Sequence, residues 1–219
     1  MNRLAVFDCD GTLVDSQATI CSAIDNGFAA CGIAAPARTA SRAIIGLSVI
    51  EAMQVLHPAG DPATHALLAE AYKSAFHDLR RRGLAGEPLY EGIADAIDGL
   101  EARGWLLGVA TGKSDRGLGH VLEKHGLHPR FVTLQTADRH PSKPHPSMLR
   151  QAMADAGAAP ETTAMIGDTS YDMAMAKAAG AAAVGVAWGC HSPERLRGGG
   201  ADVVATHASQ LVALLEALP

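Results

Sequence analysis

The first apolar run of the chain is short. Leu4 to Phe7 are consecutive apolar residues that stop at Asp8, and Asp8-Cys9-Asp10-Gly11-Thr12 follows. The run is too short for a helix, so it predicts a buried strand leading into a loop. From Ser16 to about Gly86 the apolar spacing is helical: Ile20, Ala23, Ile24, Phe28, then Ile44, Ile45, Ile50, Met53, Leu56, then Leu67, Leu68, Ala71, Tyr72, Ala75, Phe76, Leu79. Gly32, Pro36, Pro58, Gly60-Asp61-Pro62 and Gly83 punctuate it. Helices and loops are expected there, and no strand.

Beyond Gly86 the pattern alternates. A helix from Ile93 to Leu100 precedes a strand from Trp105 to Ala110. A helix from Leu118 to Lys124 stops at Gly126 and precedes a short strand near Phe131 to Leu134. A helix from Met148 to Ala156 precedes a strand from Ala164 to Ile166. A helix from Met173 to Ala179 precedes a strand from Ala182 to Val186. Val203-Val204 and a helix from Ala208 to Leu218 close the series, with Gly198-Gly199-Gly200 read as a loop.

Strands alternating with helices predict an α/β fold, a Rossmann-like parallel sheet with helices on both faces. The all-helical stretch reads as an inserted lobe. The expected division is a core of residues 1–15 and 87–219 and a helical cap of residues 16–86, joined near 14–18 and 83–90. Such sheets bind ligands outside the carboxyl ends of their strands. Asp8 and Asp10 follow the first strand, Thr111-Gly112-Lys113 the second, Lys143-Pro144 the third, and Gly167-Asp168-Thr169-Ser170-Tyr171-Asp172 the fourth. The sheet is expected to bring these loops into one pocket.

Composition narrows the function. The chain has 219 residues, 48% apolar and 19% charged, which is globular and long enough for a sizeable core. With aromatics at 4%, that core must rest on aliphatic side chains and alanine. A net charge of −5 and no basic run longer than Arg80-Arg81-Arg82 argue against nucleic-acid binding. No stretch approaches the ~20 apolar residues of a membrane span. Asp8 and Asp10 interrupt the only apolar run near the start, so no signal peptide is expected and a cytoplasmic location is. Cys9, Cys21, Cys31 and Cys190 show no C-x-x-C or zinc spacing and read as reduced thiols.

Clustered carboxylates raise one another's pKa, and a bound cation removes the problem. Carboxylate, carbonyl and water oxygens suit Mg²⁺, which shares its shell with substrate phosphate. Mg²⁺ and Lys143 would offset the repulsion between Asp8 and a phosphate dianion, while the Thr111 hydroxyl and nearby amides donate to the remaining oxygens. No G-x-x-x-x-G-K-[ST] nucleotide cradle is present.

Asp8-Cys9-Asp10-Gly11-Thr12-Leu13-Val14-Asp15-Ser16 resembles the first motif of the haloacid dehalogenase superfamily. Thr111 matches its second motif, Lys143 its third, and Gly167-Asp168 with Asp172 its fourth, in the right order over essentially the whole chain. The insert, with Leu-Val-Asp-Ser and Lys-Pro-His-Pro, resembles the phosphoglycolate-phosphatase-like branch with a small helical cap. The resemblance implies a Mg²⁺-dependent phosphatase of a small phosphorylated metabolite, such as phosphoglycolate or a sugar phosphate. It makes Asp8 the nucleophile and Asp10 the acid and base. It gives the metal Asp8, the Asp10 carbonyl and Asp168, with Asp172 supporting the metal shell or Lys143. It gives the phosphoryl oxygens Thr111, Gly112 and Lys143. Dehalogenating members lack an acid at the position of Asp10, so its presence implies phosphate chemistry.

Other residues read more plainly. Asp15 and Ser16 are expected to cap the first cap helix, and Lys113 to face solvent or make a secondary phosphate contact. Cys9 reads as a buried spacer, and Met173 and Met175 as core fillers. His120, His125, His128, His140 and His145 lack metal-ligand spacing and read as surface or loop residues. Arg38, Arg42 and Ser48 lie at a cap segment that resembles the family's substrate-facing element. An arginine there would pair with a substrate carboxylate, against the alternative of a solvated arginine. Two further readings are a sugar phosphomutase on the same fold and a non-catalytic phospho-switch. The sequence leaves substrate and oligomeric state open.

Overall fold

The computed structural model describes residues 2–218. Its centre is a six-stranded parallel sheet in the order β3-β2-β1-β4-β5-β6. The strands are β1 (Asn2–Phe7), β2 (Trp105–Thr111), β3 (Thr133–Thr136), β4 (Ala158–Gly167), β5 (Ala182–Val186) and β6 (Val203–Ala205). Leu4, Ala5, Val6 and Phe7 are fully buried, because β1 is central and covered on both faces.

Side chains alternate across the sheet. Ala5, Phe7, Val109 and Ile166 pack on one side with α5 (Ile93–Glu101), α6 (Asp115–Lys124) and α10 (Leu211–Glu216). Leu4, Val6 and Met165 pack on the other with α7 (Ser147–Ala156), α8 (Ser170–Ala179) and Leu196 of α9 (Pro193–Gly198). Met173 and Met175 are buried there, as expected.

Between β1 and α5 lie helices alone: α1 (Gln17–Ala30), α2 (Arg38–Ala43), α3 (Val49–Leu56) and α4 (Pro62–Arg81). They share a core of Ile20, Ile24, Phe28, Ile44, Ile45, Met53 and Leu68. Asp61 caps α4 by accepting from the Thr64 amide at 2.7 Å, and Pro62 opens that helix. Among the described residues no helix is long and apolar enough to cross a membrane.

Four elements differ from the expected boundaries. The third strand begins at Thr133 and runs to Thr136; Phe131 instead packs edge-on against Phe7, ring centroids 6.4 Å apart. The fourth extends back to Ala158, a stretch whose polar residues hide its extended character. Helix α9 was not anticipated; Ser192 caps it and it ends at Gly198, within the expected glycine loop. The last helix is split into a 3₁₀ turn at Ala208–Gln210 and α10, which stops at Glu216.

Candidate active site

The strand ends converge as the sequence implies. Asp8 follows β1, and its amide donates to the Ile166 carbonyl of β4 at 2.9 Å, so the loops after the two central strands meet there. Asp8, Asp168 and Asp172 are fully buried, and one carboxylate oxygen from each lies within 4.8 Å of the others.

The three acids are held differently. Asp172 is the N3 residue of α8: its Oδ2 accepts from the Thr169 amide at 3.0 Å and the Thr169 hydroxyl at 2.6 Å, a capping box. Its Oδ1 accepts from Lys143 Nζ at 2.6 Å. Asp168 accepts from the Thr12 hydroxyl at 3.0 Å and the Cys190 amide at 2.8 Å. Asp8 has Lys143 Nζ 2.9 Å from Oδ1, yet no aligned donor meets either of its oxygens. Gly11 makes the crowding possible: its φ is +85°, and a Cβ there would lie 2.2 Å from Asp168 Oδ2.

The electrostatics follow from burial. Burial pushes the Asp8 carboxyl well above the usual range; Lys143 pulls it back, and Asp172, Asp168 and Asp10 push it further up. Burial, then Asp172, raises Asp168 to about 7. Burial alone would lower the buried Lys143 ammonium, but Asp172 and Asp8 hold it above its ordinary value.

Asp10 sits in a second network, which corrects two expectations. Lys113 is not solvent-facing: its side chain is 9% exposed, and Nζ lies 2.9 Å from both Asp10 Oδ1 and Glu87 Oε1. Glu87 in turn accepts from Arg80 at 2.9 Å. Burial would raise the Glu87 carboxyl, but Lys113 and Arg80 hold it below its usual value. Ser16 does stand at the start of α1, but its hydroxyl makes no cap bond; it is buried and donates to Asp10. Glu87 was not anticipated, because nothing in the sequence ties it to Lys113, and its burial arises only when the second linker folds over the β2 loop.

Thr111 is buried at the end of β2, where its hydroxyl accepts from the Lys113 amide at 3.3 Å. Gly112 abuts the helical lobe: a Cβ there would lie 2.5 Å from the Leu47 carbonyl oxygen. The Ser48 amide donates to Ser142 Oγ at 2.9 Å, and the Tyr171 hydroxyl to the Ala43 carbonyl at 3.3 Å. The lobe is thus closed over the acids. Ser48 turns its hydroxyl to Glu51. Arg38 pairs with Asp25 at 3.1 Å, and Arg42 is exposed.

Beside the acids lies a cleft of about 640 Å³ between α1, α3, α4 and the loop after β2. Asp10, Gly112 and Lys113 border it, whereas Asp8, Asp168, Arg42 and Ser48 do not. Asp10 is where cleft and acidic pocket meet. The histidines hold no shared ion site with the acids: among the described residues, the grouping able to hold a metal is Asp8, Asp168 and Asp172. His140 is half-buried, bonded to Ser147 and Gln135 at 2.8 Å each.

The model of the haloacid dehalogenase-like hydrolase family matches residues 5–186. The chain belongs to that family. This hydrolase is 37% identical over 224 residues to "Probable phosphatase IndB" of Dickeya dadantii, covering 100% of the chain and 95% of that protein. It is 30% identical to "Tyrosine-protein kinase PtkA" of Mycobacterium tuberculosis, covering 99% of the chain and 72% of the relative. It is 26% identical to "Phosphoglycolate phosphatase" of Vibrio parahaemolyticus, over 96% of the chain and 94% of that protein. Its fold matches that of a "predicted phosphatase" from Clostridium acetobutylicum with a TM-score of 0.88, at 23% identity over 99% of both chains.

Proposed function

We propose that this hydrolase is a Mg²⁺-dependent phosphatase that cleaves a small phosphomonoester through a phosphoaspartate on Asp8. The observation that carries the reading is Asp8 itself. A buried carboxylate normally gathers hydrogen bonds, and this one meets no aligned donor while facing Lys143. It is free to bond to something else.

The residues fit a hard divalent cation. Oxygens of Asp8, Asp168 and Asp172 converge within 4.8 Å, and carboxylate oxygens with water are what Mg²⁺ takes. The Asp8 and Asp168 carboxylates and the Asp10 carbonyl would hold it, with Asp172 supporting the shell. When bound, it neutralises the carboxylates and the phosphoryl oxygens.

The chain's own groups supply the rest. An Asp8 oxygen attacks phosphorus, and the bond from phosphorus to the alcohol oxygen breaks. Asp10 gives that oxygen its proton, so the alcohol leaves neutral. Water then attacks phosphorus, Asp10 takes its proton, and the bond to Asp8 breaks to release phosphate. Lys143 offsets the dianion's charge, and the Thr111 hydroxyl and Gly112 amide hold phosphoryl oxygens. Lys113 and Ser16 fix the Asp10 carboxylate. Residues 16–86 act as the cap and residues 1–15 and 87–219 as the core. Because Asp8 is fully buried beneath the cap, substrate enters only when the cap opens. Arg42, which is exposed, and Ser48, whose hydroxyl turns to Glu51, touch substrate only if the cap moves.

Phosphate release from a panel of small phosphomonoesters, with Mg²⁺ and with EDTA, tests the reading. Release is expected with Mg²⁺ and background release with EDTA. Mg²⁺ at ~100 times its Kd is also expected to stabilise the fold by about 2.7 kcal/mol, read as a higher melting temperature. Equal release with and without metal would sink the metal assignment. Isomerised hexose phosphate, formed with a bisphosphate activator, would replace hydrolysis by mutase chemistry.

Gly112→Ala tests the closed cap. The new methyl strikes the Leu47 carbonyl, so closure is expected to fail and kcat/KM to fall by about tenfold or more. Unchanged kinetics would show that closure over Gly112 is not used.

A further inference from the structure

The 640 Å³ cleft has a polar mouth and an apolar interior. Lys73, His77, Asp78, Arg116 and Asp138 stand at the mouth and are exposed. Inside, Ile20, Leu47, Val49 and Met53 line it together with Tyr72 and Phe76. Those two aromatics are four residues apart on α4, so they share one helix face, and their ring centroids lie 6.0 Å apart. A volume in this range, roughly 300–1,000 Å³, is that of pockets burying a drug-sized ligand. A two-carbon acid fills little of it.

The charges inside are already matched. Lys113 pairs with Asp10 and Glu87, and Arg80 with Glu87. Both cations of the interior thus already have a carboxylate of the chain as partner, and the Arg80 Nε is the one buried donor there without a hydrogen bond among the described residues. The cleft also opens on Asp10, the residue that the phosphatase reading places at the leaving oxygen. Whatever departs from phosphorus must extend from Asp10 into this space. The Tyr72 hydroxyl has no hydrogen-bond partner among the described residues, which leaves one polar contact on an otherwise apolar wall.

We propose that the alcohol half of the substrate carries an apolar, ring-sized group that lies in this cleft between Tyr72–Phe76 and Met53–Val49. The inference rests on the phosphatase reading for its orientation, with phosphate at Asp8 and the ring beyond Asp10. Tyr72 and Phe76 are then specificity residues of the cap.

The test compares 2-phenylethyl phosphate with ethyl phosphate, whose leaving alcohols are chemically similar. It also compares the affinities of 2-phenylethylphosphonate and ethylphosphonate, which cannot be hydrolysed, by calorimetry with Mg²⁺ present. Burying the ring is expected to favour the phenyl compounds by about tenfold or more in both kcat/KM and affinity. Tyr72→Ser is expected to shrink both ratios at least threefold. Val49→Asp is the second variant. Val49 opens α3, where a carboxylate suits the helix N-terminus, so the fold tolerates it while a charge enters the cleft. It too is expected to shrink both ratios. Equal values for the phenyl and ethyl compounds would overturn the inference and leave the phosphatase reading standing. A preference untouched by both variants would overturn it as well, since the ring would lie elsewhere. No detectable binding of the phenyl phosphonate would do the same. Ring-selective phosphonate binding without hydrolysis of any ester would overturn the phosphatase reading and leave the ring site in place.

Discussion

Asp8→Asn is expected to abolish phosphate release and to make the metal-free protein more stable. If Asp8 is the nucleophile, as proposed, its loss should cost about 10⁴-fold or more in turnover, as removing an attacking side chain does elsewhere. The stability change has the opposite sign from most core substitutions. Asp8, Asp168 and Asp172 crowd around the ammonium of Lys143, and Asp8 alone meets no aligned donor. A buried carboxylate without hydrogen bonds is costly, and the amide is close to it in shape. Removing one of these anions leaves Lys143 with Asp172, its closer partner at 2.6 Å. The melting temperature in EDTA should therefore rise while activity disappears. Turnover above about one-hundredth of the wild-type rate would rule out Asp8 as nucleophile.

Lys143→Met should do the reverse to stability. Lys143 is fully buried between two carboxylates. Without it, the three acids lose the ammonium that sits among them. Breaking a buried ion pair by removing one partner costs about 3–5 kcal/mol, which for a chain of this size is on the order of 10 °C in melting temperature. Methionine keeps most of the volume, so the loss reports charge rather than a cavity. Added Mg²⁺ should restore much of the stability, because a divalent cation neutralises the same carboxylates. It should not restore turnover, since the proposed mechanism also needs the Lys143 charge against the transferring phosphoryl group. An unchanged melting temperature in EDTA would show that the acids are already protonated in the native protein.

The sheet was legible because its strands are short, nearly unbroken apolar runs, as in Leu4–Phe7 and Ala182–Val186. Where strand residues are polar, as in the first half of β4, the pattern gave no signal. The acidic pocket was legible because its residues stand at strand ends, which a parallel sheet must gather on one edge. The Asp10 network was not. In the sequence Lys113 reads as solvent-facing, and only the second linker brings Glu87 to it; Ser16 reads as an ordinary helix cap, and only the first linker turns its hydroxyl toward Asp10. Helical periodicity also showed Tyr72 and Phe76 as core residues of the cap, without showing that their rings border an open space.

The position of β1 at the centre of the sheet sets an order of assembly. Phe7 pairs with Val109 on one side and Ile166 on the other, so its last neighbour is made about 160 residues after it. At roughly 5–20 residues per second that interval is on the order of ten to thirty seconds. α1 and α4 pack on each other within the first 81 residues, so their contact does not wait for the rest of the sheet. Leu4–Phe7 cannot be covered on both edges until β4 emerges, and an apolar strand with a free edge invites mispairing. A nascent chain that stalls before β4 thus carries a central apolar strand with one edge uncovered, the kind of surface that chaperones hold.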